Sequence, residues 1–356
     1  MRIAITGASG NVGTALLTQL AADSCPHEIV GIVRRVPDPV PPYDTVDWHA
    51  VDLADADARS HLDQVLVGVD AVVHLAWGFQ PSRDVDYLER TGVGGSAAVL
   101  AAADAAGVAH LVHMSSVGAY SRAPRGHRVD ESWGTGGIPS LAYSRHKVSV
   151  ERMLDAYENG GGRMVVARLR PGLIVQRVAA SALLRYGVPP WVPSSLLRHV
   201  PVLPLDRRLT VPLVHTRDVA GAVVRVLTSR SVGAFNLAGE PPITRDDIAE
   251  ALSARPVHLP APALRIAADL AWRARLQPVD PGWLDLAYSV PLLDTGRARS
   301  ELGWAPTVDA RDALREVVEG LGDAAAAPSP ALRPRSVARQ LGRLVRSGPI
   351  GDRRLP

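Results

Sequence analysis

The sequence predicts an α/β architecture, a doubly wound parallel sheet carrying a smaller, mainly helical lobe. Three observations carry that expectation. Short apolar runs alternate with longer helical periods over residues 1–175, the pattern of parallel strands joined by crossover helices. A glycine-rich turn separates the first apolar run from the first helical period. Beyond residue 176 the chain becomes rich in proline, as in Val188-Pro189-Pro190-Trp191-Val192-Pro193 and Pro201-Val202-Leu203-Pro204, which marks a change of unit.

Taken in order, short β-prone runs place strands at 3–6, 29–34, 46–51, 71–75, 111–115 and 165–169. Helical periods fit between them at 11–22, 85–106 and 141–157. A further strand and helix are expected at 211–214 and 218–227, and another strand at 234–237. The stretch 210–238 is therefore assigned back to the first unit, 1–175. Helices at 245–253, 264–275 and 309–320 close the body. Residues 176–209 and 239–322 form the lobe, placed over the strand ends where open α/β sheets bind ligands. No internal repeat occurs.

The formal charge of +3 is unevenly spread. Residues 323–356 hold seven arginines against Asp323 and Asp352, leaving the body near neutral. Ala324-Ala325-Ala326-Ala327-Pro328-Ser329-Pro330 reads as a flexible linker into this basic tail. Val337, Leu341, Leu344 and Val345 lie at helical spacing among Arg339, Arg343 and Arg346, a pattern suited to a partner or a membrane surface. The plainer reading is a solvated tail that fold and cofactor binding do not require.

No apolar run is long enough for a membrane span, and the N-terminus opens directly into a strand pattern rather than a signal peptide. The single Cys25 allows no internal disulfide, which suits a reducing cytoplasm. His74, His113, His146 and His215 lack metal spacing, so no metal is expected. Nor does any basic and aromatic interleaving point to nucleic acid.

Thr6-Gly7-Ala8-Ser9-Gly10-Asn11-Val12-Gly13 follows the first strand and opens the first helix. Gly7, Gly10 and Gly13 suit a tight turn, close approach to a pyrophosphate and close helix-to-strand packing, the Rossmann-type arrangement. Ser9, Asn11 and Val12 share that loop. Arg34 and Arg35 end the second strand, where NAD-preferring folds usually place an acid for the ribose 2′-hydroxyl. Two guanidiniums favour the 2′-phosphate of NADP(H), although a solvated arginine pair is the alternative. Asp52 and Leu53 end the third strand, where they would meet an adenine edge; otherwise Asp52 caps the next helix.

Thirty-eight of the 39 Lys and Arg residues are arginine, and the one lysine, Lys147, stands four residues after Tyr143. On a helix that spacing stacks the two side chains on one face. There an ammonium can favour the tyrosinate form, bring a phenol of ordinary pKa near 10 towards working pH, and make a general acid/base.

The ordered set TGASGNVG, Asp52-Leu53, His74-Leu75-Ala76, Ser115-Ser116, Tyr143 with Lys147, and Arg170-Pro171-Gly172 resembles the extended short-chain dehydrogenase/reductases, often labelled the NAD-dependent epimerase/dehydratase family. The likeness spans residues 1 to about 320 and includes Val214-His215-Thr216-Arg217-Asp218-Val219-Ala220 and Phe235-Asn236-Leu237-Ala238-Gly239. It implies that Tyr143 gives or takes the proton at the reacting oxygen. Lys147 would hold the nicotinamide ribose and lower the phenol pKa, and Ser116 would hydrogen-bond the same oxygen. Leu75, Ala76, Pro171 and Gly172 would approach the cofactor. Trp77 follows the fourth strand at the cofactor edge, where it lines a substrate pocket or packs in the core. The family also implies a homodimer through the helices at 85–106 and 141–157.

Three departures separate the chain from the sugar-nucleotide enzymes it resembles. Gly92 stands where an asparagine is common. Val117 and Gly118 replace the Asp-Glu pair of the 4,6-dehydratases, and Leu173 replaces an asparagine that touches the nucleotide sugar. The expected activity is hydride transfer between NADP(H) and a carbonyl or alcohol carbon of a small, rather apolar substrate. The rivals are an NAD(P)-dependent epimerase that retains its cofactor and a non-catalytic NADP-sensing protein, whose relatives lack the Tyr and Lys pair.

Overall fold

The computed structural model describes residues 1–78, 83–187, 200–277 and 279–334. The run at 188–193 and the amphipathic stretch from Val337 to Val345 fall outside these residues. The main sheet contains β1 (Arg2–Thr6), β2 (Glu28–Val33), β3 (Asp47–Ala50), β4 (Ala71–His74) and β5 (His110–Met114). After the short β6 (Arg128–Val129), β7 (Val165–Pro171) joins the same sheet. Shorter strands follow as β8 (Leu173–Val175), β9 (Val202–Leu205), β10 (Thr210–Val211) and β11 (Leu213–His215). The seventh member of the main sheet is β12 (Gly233–Leu237), and β13 (Ile243–Thr244), β14 (Arg255–His258) and β15 (Leu292–Leu293) complete the set.

The sheet order is β12-β7-β5-β4-β1-β2-β3, with every neighbouring pair parallel. The chain winds outward in one direction from β1 and in the other from β4. The order therefore reverses between these two strands, and a crevice opens at their carboxyl ends.

Alternate residues of the buried strands face opposite helical layers, as a period of two requires. Ile3, Ile5 and Val73 pack towards α1 (Asn11–Ala21) and α7 (Thr216–Ser229), through Leu16, Val219 and Val223. Ala4, Val30 and Val72 face α2 (Ala58–Val65), α4 (Gly95–Ala105) and α5 (Ala142–Asn159), through Leu62, Val99 and Val150. The expected helix over 85–106 is one path with an inserted turn: α3 (Val85–Glu89), a π-helical turn Arg90–Gly94, then α4. Hydrophobic period alone does not reveal such a turn, because the apolar face continues through it.

Among the described residues the remaining α-helices are α6 (Ala180–Gly187), α8 (Arg245–Ala251), α9 (Ala261–Arg273), α10 (Gly282–Ala287), α11 (Gly296–Leu302) and α12 (Ala310–Asp323). Four two-stranded pairs, β8 with β11, β9 with β14, β10 with β13 and β6 with β15, lie outside the main sheet. Among the described residues no helix is long and apolar enough to cross a membrane.

The linker expected after Gly322 is instead packed on the body as far as Leu332, which is 1 % exposed. Ala324 takes the left-handed conformation at the end of α12 and turns the chain back. Ser181 then donates to the carbonyls of Ala324 and Ala325. Alanine and proline lack the polar or flexible bulk that would hold this backbone away, so a stretch without periodic hydrophobicity still packs closely. That is why composition misled here.

Candidate active site

The glycine loop is shaped by backbone crowding. Gly7 has φ +71°, and a Cβ there would stand 2.9 Å from the Ala76 nitrogen. At Gly13 a Cβ would stand 2.4 Å from the Ala8 carbonyl oxygen, so neither position accepts a side chain without moving the main chain. Gly10 begins α1 with no side-chain cap, leaving the positive end of the helix facing the crevice. The Asn11 side chain is held by two neighbours. Its Oδ1 accepts from Gln176 at 2.8 Å and from Thr216 at 3.2 Å, which ties the loop to the next segment.

The crevice is a cavity of about 600 Å³, within the range of small-ligand sites. Every residue assigned in the sequence to catalysis or cofactor binding lies on its wall. Gly7, Ser9, Gly10, Asn11, Val12 and Gly13 form one end, and Arg34, Arg35, Asp52 and Leu53 surround the outer part. Leu75, Ala76 and Trp77 line the middle, followed by Ser116, Tyr143, Lys147, Pro171 and Gly172. At the arginine end, Arg34 donates to the Tyr87 hydroxyl at 2.9 Å. That hydroxyl donates to Asp52 at 3.3 Å, while Asp52 also accepts from the Ala54 amide. Asp52 thus both caps the following turn and faces the cavity.

Tyr143 and Lys147 lie one turn apart on α5, the lysine buried and the tyrosine half-buried. Burial pushes the Tyr143 phenol up to about 12, against the opposing hydrogen bond with Ser116. Ser116 also accepts from the Gly118 amide at 3.0 Å. Burial holds Lys147 well below the ordinary lysine range, against the pull of Glu151. The phenol thus lies above its ordinary value rather than below it as the spacing suggested, because desolvation outweighs the Ser116 hydrogen bond. Lys147 donates to the Met114 carbonyl at 2.8 Å, and its Nζ stands 3.3 Å from the Trp77 ring centroid.

Two indoles flank the phenol. Trp77 meets Tyr143 nearly edge-on, with centroids 6.2 Å apart, and Trp283 from α10 lies 5.2 Å away at 34°. Trp77 fits because position 92 is glycine: a Cβ there would approach its Cζ2 at 3.2 Å. The departure from asparagine thus makes room for the indole beside Lys147. No local sequence pattern connects Trp283 with Tyr143, 140 positions earlier.

Beneath the site lies a polar layer that the motifs did not reveal. Glu151 accepts from Ser115 at 2.5 Å, from Arg170 through two nitrogens at 2.9 Å each, and from Arg168 at 3.2 Å. Burial alone would raise the Glu151 carboxyl, but Arg170 and its other partners hold it low. His74 bridges Thr6 at 2.7 Å and Ser96 at 2.9 Å, and Ser96 donates to the Gly92 carbonyl. Burial and then Lys147 lower His74 to about 3. It is a neutral strut, and no metal-binding cluster occurs among the described residues.

The remaining walls near Tyr143 are apolar. Val117, Leu173, Ile174, Pro212, Leu286 and Val290 line them. Val117 and Leu173 are two of the positions where the sequence leaves the sugar-nucleotide pattern.

Comparison with known proteins matches residues 3–238 to the NAD dependent epimerase/dehydratase family. Mycobacterium tuberculosis protein Rv2047c is 30% identical over 323 residues, 89% of this chain. The chain spans only 29% of that relative's length. The L-arabinose 1-dehydrogenase (NAD(P)(+)) of Haloferax volcanii is 36% identical over 115 residues, covering 32% of this chain and 41% of the enzyme. Among solved structures, the Thermus thermophilus UDP-glucose 4-epimerase complex with NAD superposes with a TM-score of 0.67 at 22% identity. That match covers 90% of this chain and 99% of the epimerase and carries the fold. The family match extends over well more than half the sequence and includes the glycine loop, Tyr143 and Lys147, so the chain belongs to the NAD dependent epimerase/dehydratase family.

Proposed function

We propose that this chain is an NAD(P)-dependent oxidoreductase, with NADP(H) favoured, acting on a carbonyl or alcohol carbon of a small apolar molecule. One observation carries the reading: Ser116, Tyr143 and Lys147 stand on the wall of the cavity that begins at the open N-terminus of α1. The dinucleotide fits the crowded glycine loop, where only backbone occupies the space a side chain would take. Arg34 and Arg35 offer guanidiniums to a ribose 2′-phosphate.

When bound, the nicotinamide supplies or accepts the hydride. Tyr143 gives the proton to the substrate oxygen in reduction and takes it in oxidation. Its raised pKa keeps the phenol protonated at neutral pH, ready to donate. Ser116 holds the reacting oxygen beside that phenol. Lys147 positions the cofactor ribose and stabilises negative charge as it develops on the phenol. Trp77, Trp283 and the apolar wall exclude water and select a substrate with little polar surface.

Epimerisation with a retained cofactor is the second reading, favoured by the similarity to UDP-glucose 4-epimerase. Leu173 and Val117 on the cavity wall weigh against a sugar-nucleotide substrate. A screen of ketones, aldehydes and alcohols with both nicotinamide cofactors, followed by nicotinamide absorbance, tests the proposal. Turnover dependent on added NADPH supports it. Tightly retained NAD(H) together with isomerisation and no net redox change would replace it with the second reading.

A further inference from the structure

The segment after α12 reaches the other end of the same cavity. Ser329, 3 % exposed, donates to the backbone carbonyl of Ser9 at 2.8 Å. Ser9 belongs to the glycine loop itself. Three residues later Leu332 plugs a small apolar cluster with Ala179 and Ala182, flanked by Val178 and Ala327. The turn between them is closed from within: the Leu332 amide donates to Ser329 Oγ at 3.1 Å, and the Ala327 amide donates to the Leu332 carbonyl at 3.1 Å. Upstream, Ser181 fastens Ala324 and Ala325, and Arg177 pairs with Asp323. Pro330, Ala331 and Leu332 consequently form part of the wall that includes Ser9, Gly10 and Asn11.

We propose that residues 329–332 belong to the dinucleotide site as a strap over the phosphate-binding loop, which holds the loop's shape and retards cofactor release. The inference rests on the NAD(P) reading above. Its chemistry suits the place. The strap uses a carbonyl of the loop as its attachment and so competes with none of the amide donors that a pyrophosphate needs. Its small residues allow the backbone to lie close, and one buried leucine supplies the anchor. Displacement of Leu332 would free the wall at 330–332 and the Ser329–Ser9 tether together, so release of cofactor is coupled to opening of this turn.

The test is made in the full chain with Leu332→Asp, Leu332→Ala and Ser329→Ala. Stopped-flow displacement of bound NADPH and of NADH measures dissociation, and melting without cofactor measures the fold. We expect dissociation to accelerate about tenfold or more in Leu332→Asp, less in Leu332→Ala and a few-fold in Ser329→Ala. Ser329→Ala should melt close to the parent without cofactor, and Leu332→Ala below it but still as a cooperative fold. Parent-like dissociation in both of these milder variants overturns the strap while leaving the cofactor reading intact. A parent chain that binds neither NADPH nor NADH overturns both.

Discussion

Replacing Lys147 by methionine separates the needs of the site from the needs of the fold. The lysine is 3 % exposed and donates to the Met114 carbonyl, with its head against the Trp77 face. Methionine keeps an unbranched chain of similar volume. It leaves the Met114 carbonyl without that donor, a loss of about 1–3 kcal/mol, and removes a cation–π contact of about 0.5–2 kcal/mol. It also removes a buried amine whose charged form carries a desolvation penalty of several kcal/mol. The opposing amounts are of similar size, so Lys147→Met should keep stability within about 2 kcal/mol of the parent or increase it. Arginine differs. Its larger head overpacks the pocket by about 1–3 kcal/mol and brings donors that the carbonyl cannot satisfy, each costing about 1–3 kcal/mol. Urea titration and thermal melting should therefore rank methionine at or above the parent and arginine well below, while single-turnover hydride transfer is severely impaired in both. A methionine variant destabilised by much more than about 3 kcal/mol, or an arginine variant as stable as the parent, would refute this reasoning.

The arginine pair and the buried histidines give two further tests. Alanine at both Arg34 and Arg35 should weaken NADPH binding by roughly 1–3 kcal/mol and leave NADH little changed, as read by isothermal titration. Equal losses for the two cofactors would remove the 2′-phosphate assignment. Burial lowers both His74, to about 3, and His113, so the folded state refuses protons that the unfolded chain accepts below about 6.5. Stability from these groups is present above pH 6.5 and falls with acid, by about 1.4 kcal/mol per pH unit for each histidine. Urea titrations from pH 7.5 to 5 should show that slope, and His113→Asn should reduce it. An unchanged slope would show that His113 takes up its proton in the folded state.

Much of this organisation is legible in the chain because it follows from local rules. The runs at 3–6, 71–75 and 165–169 emerge as β1, β4 and β7, since strands buried on both faces leave continuous apolar sequence. The glycine loop is legible for a steric reason: Gly7 and Gly13 stand where a Cβ would strike backbone. Tyr143 and Lys147 announce themselves by helical spacing. What the sequence conceals depends on contacts across the fold. Trp283 reaches Tyr143 from 140 positions away, and Ser329 reaches Ser9 from 320 positions away. Neither leaves a periodic signal. The phenol pKa is hidden for another reason. Spacing reveals which charges are near, whereas desolvation depends on every wall of the cavity, and here it dominates.

The most direct measurement of the central claim is single-turnover hydride transfer in Tyr143→Phe, with NADPH binding measured on the same protein. The substitution removes only the phenolic oxygen, keeping the ring between Trp77 and Trp283. The account predicts near-parent cofactor affinity and a hydride-transfer rate lower by about 10² to 10⁴. Near-normal turnover in Tyr143→Phe would contradict it, even with NADPH bound in the cavity as described.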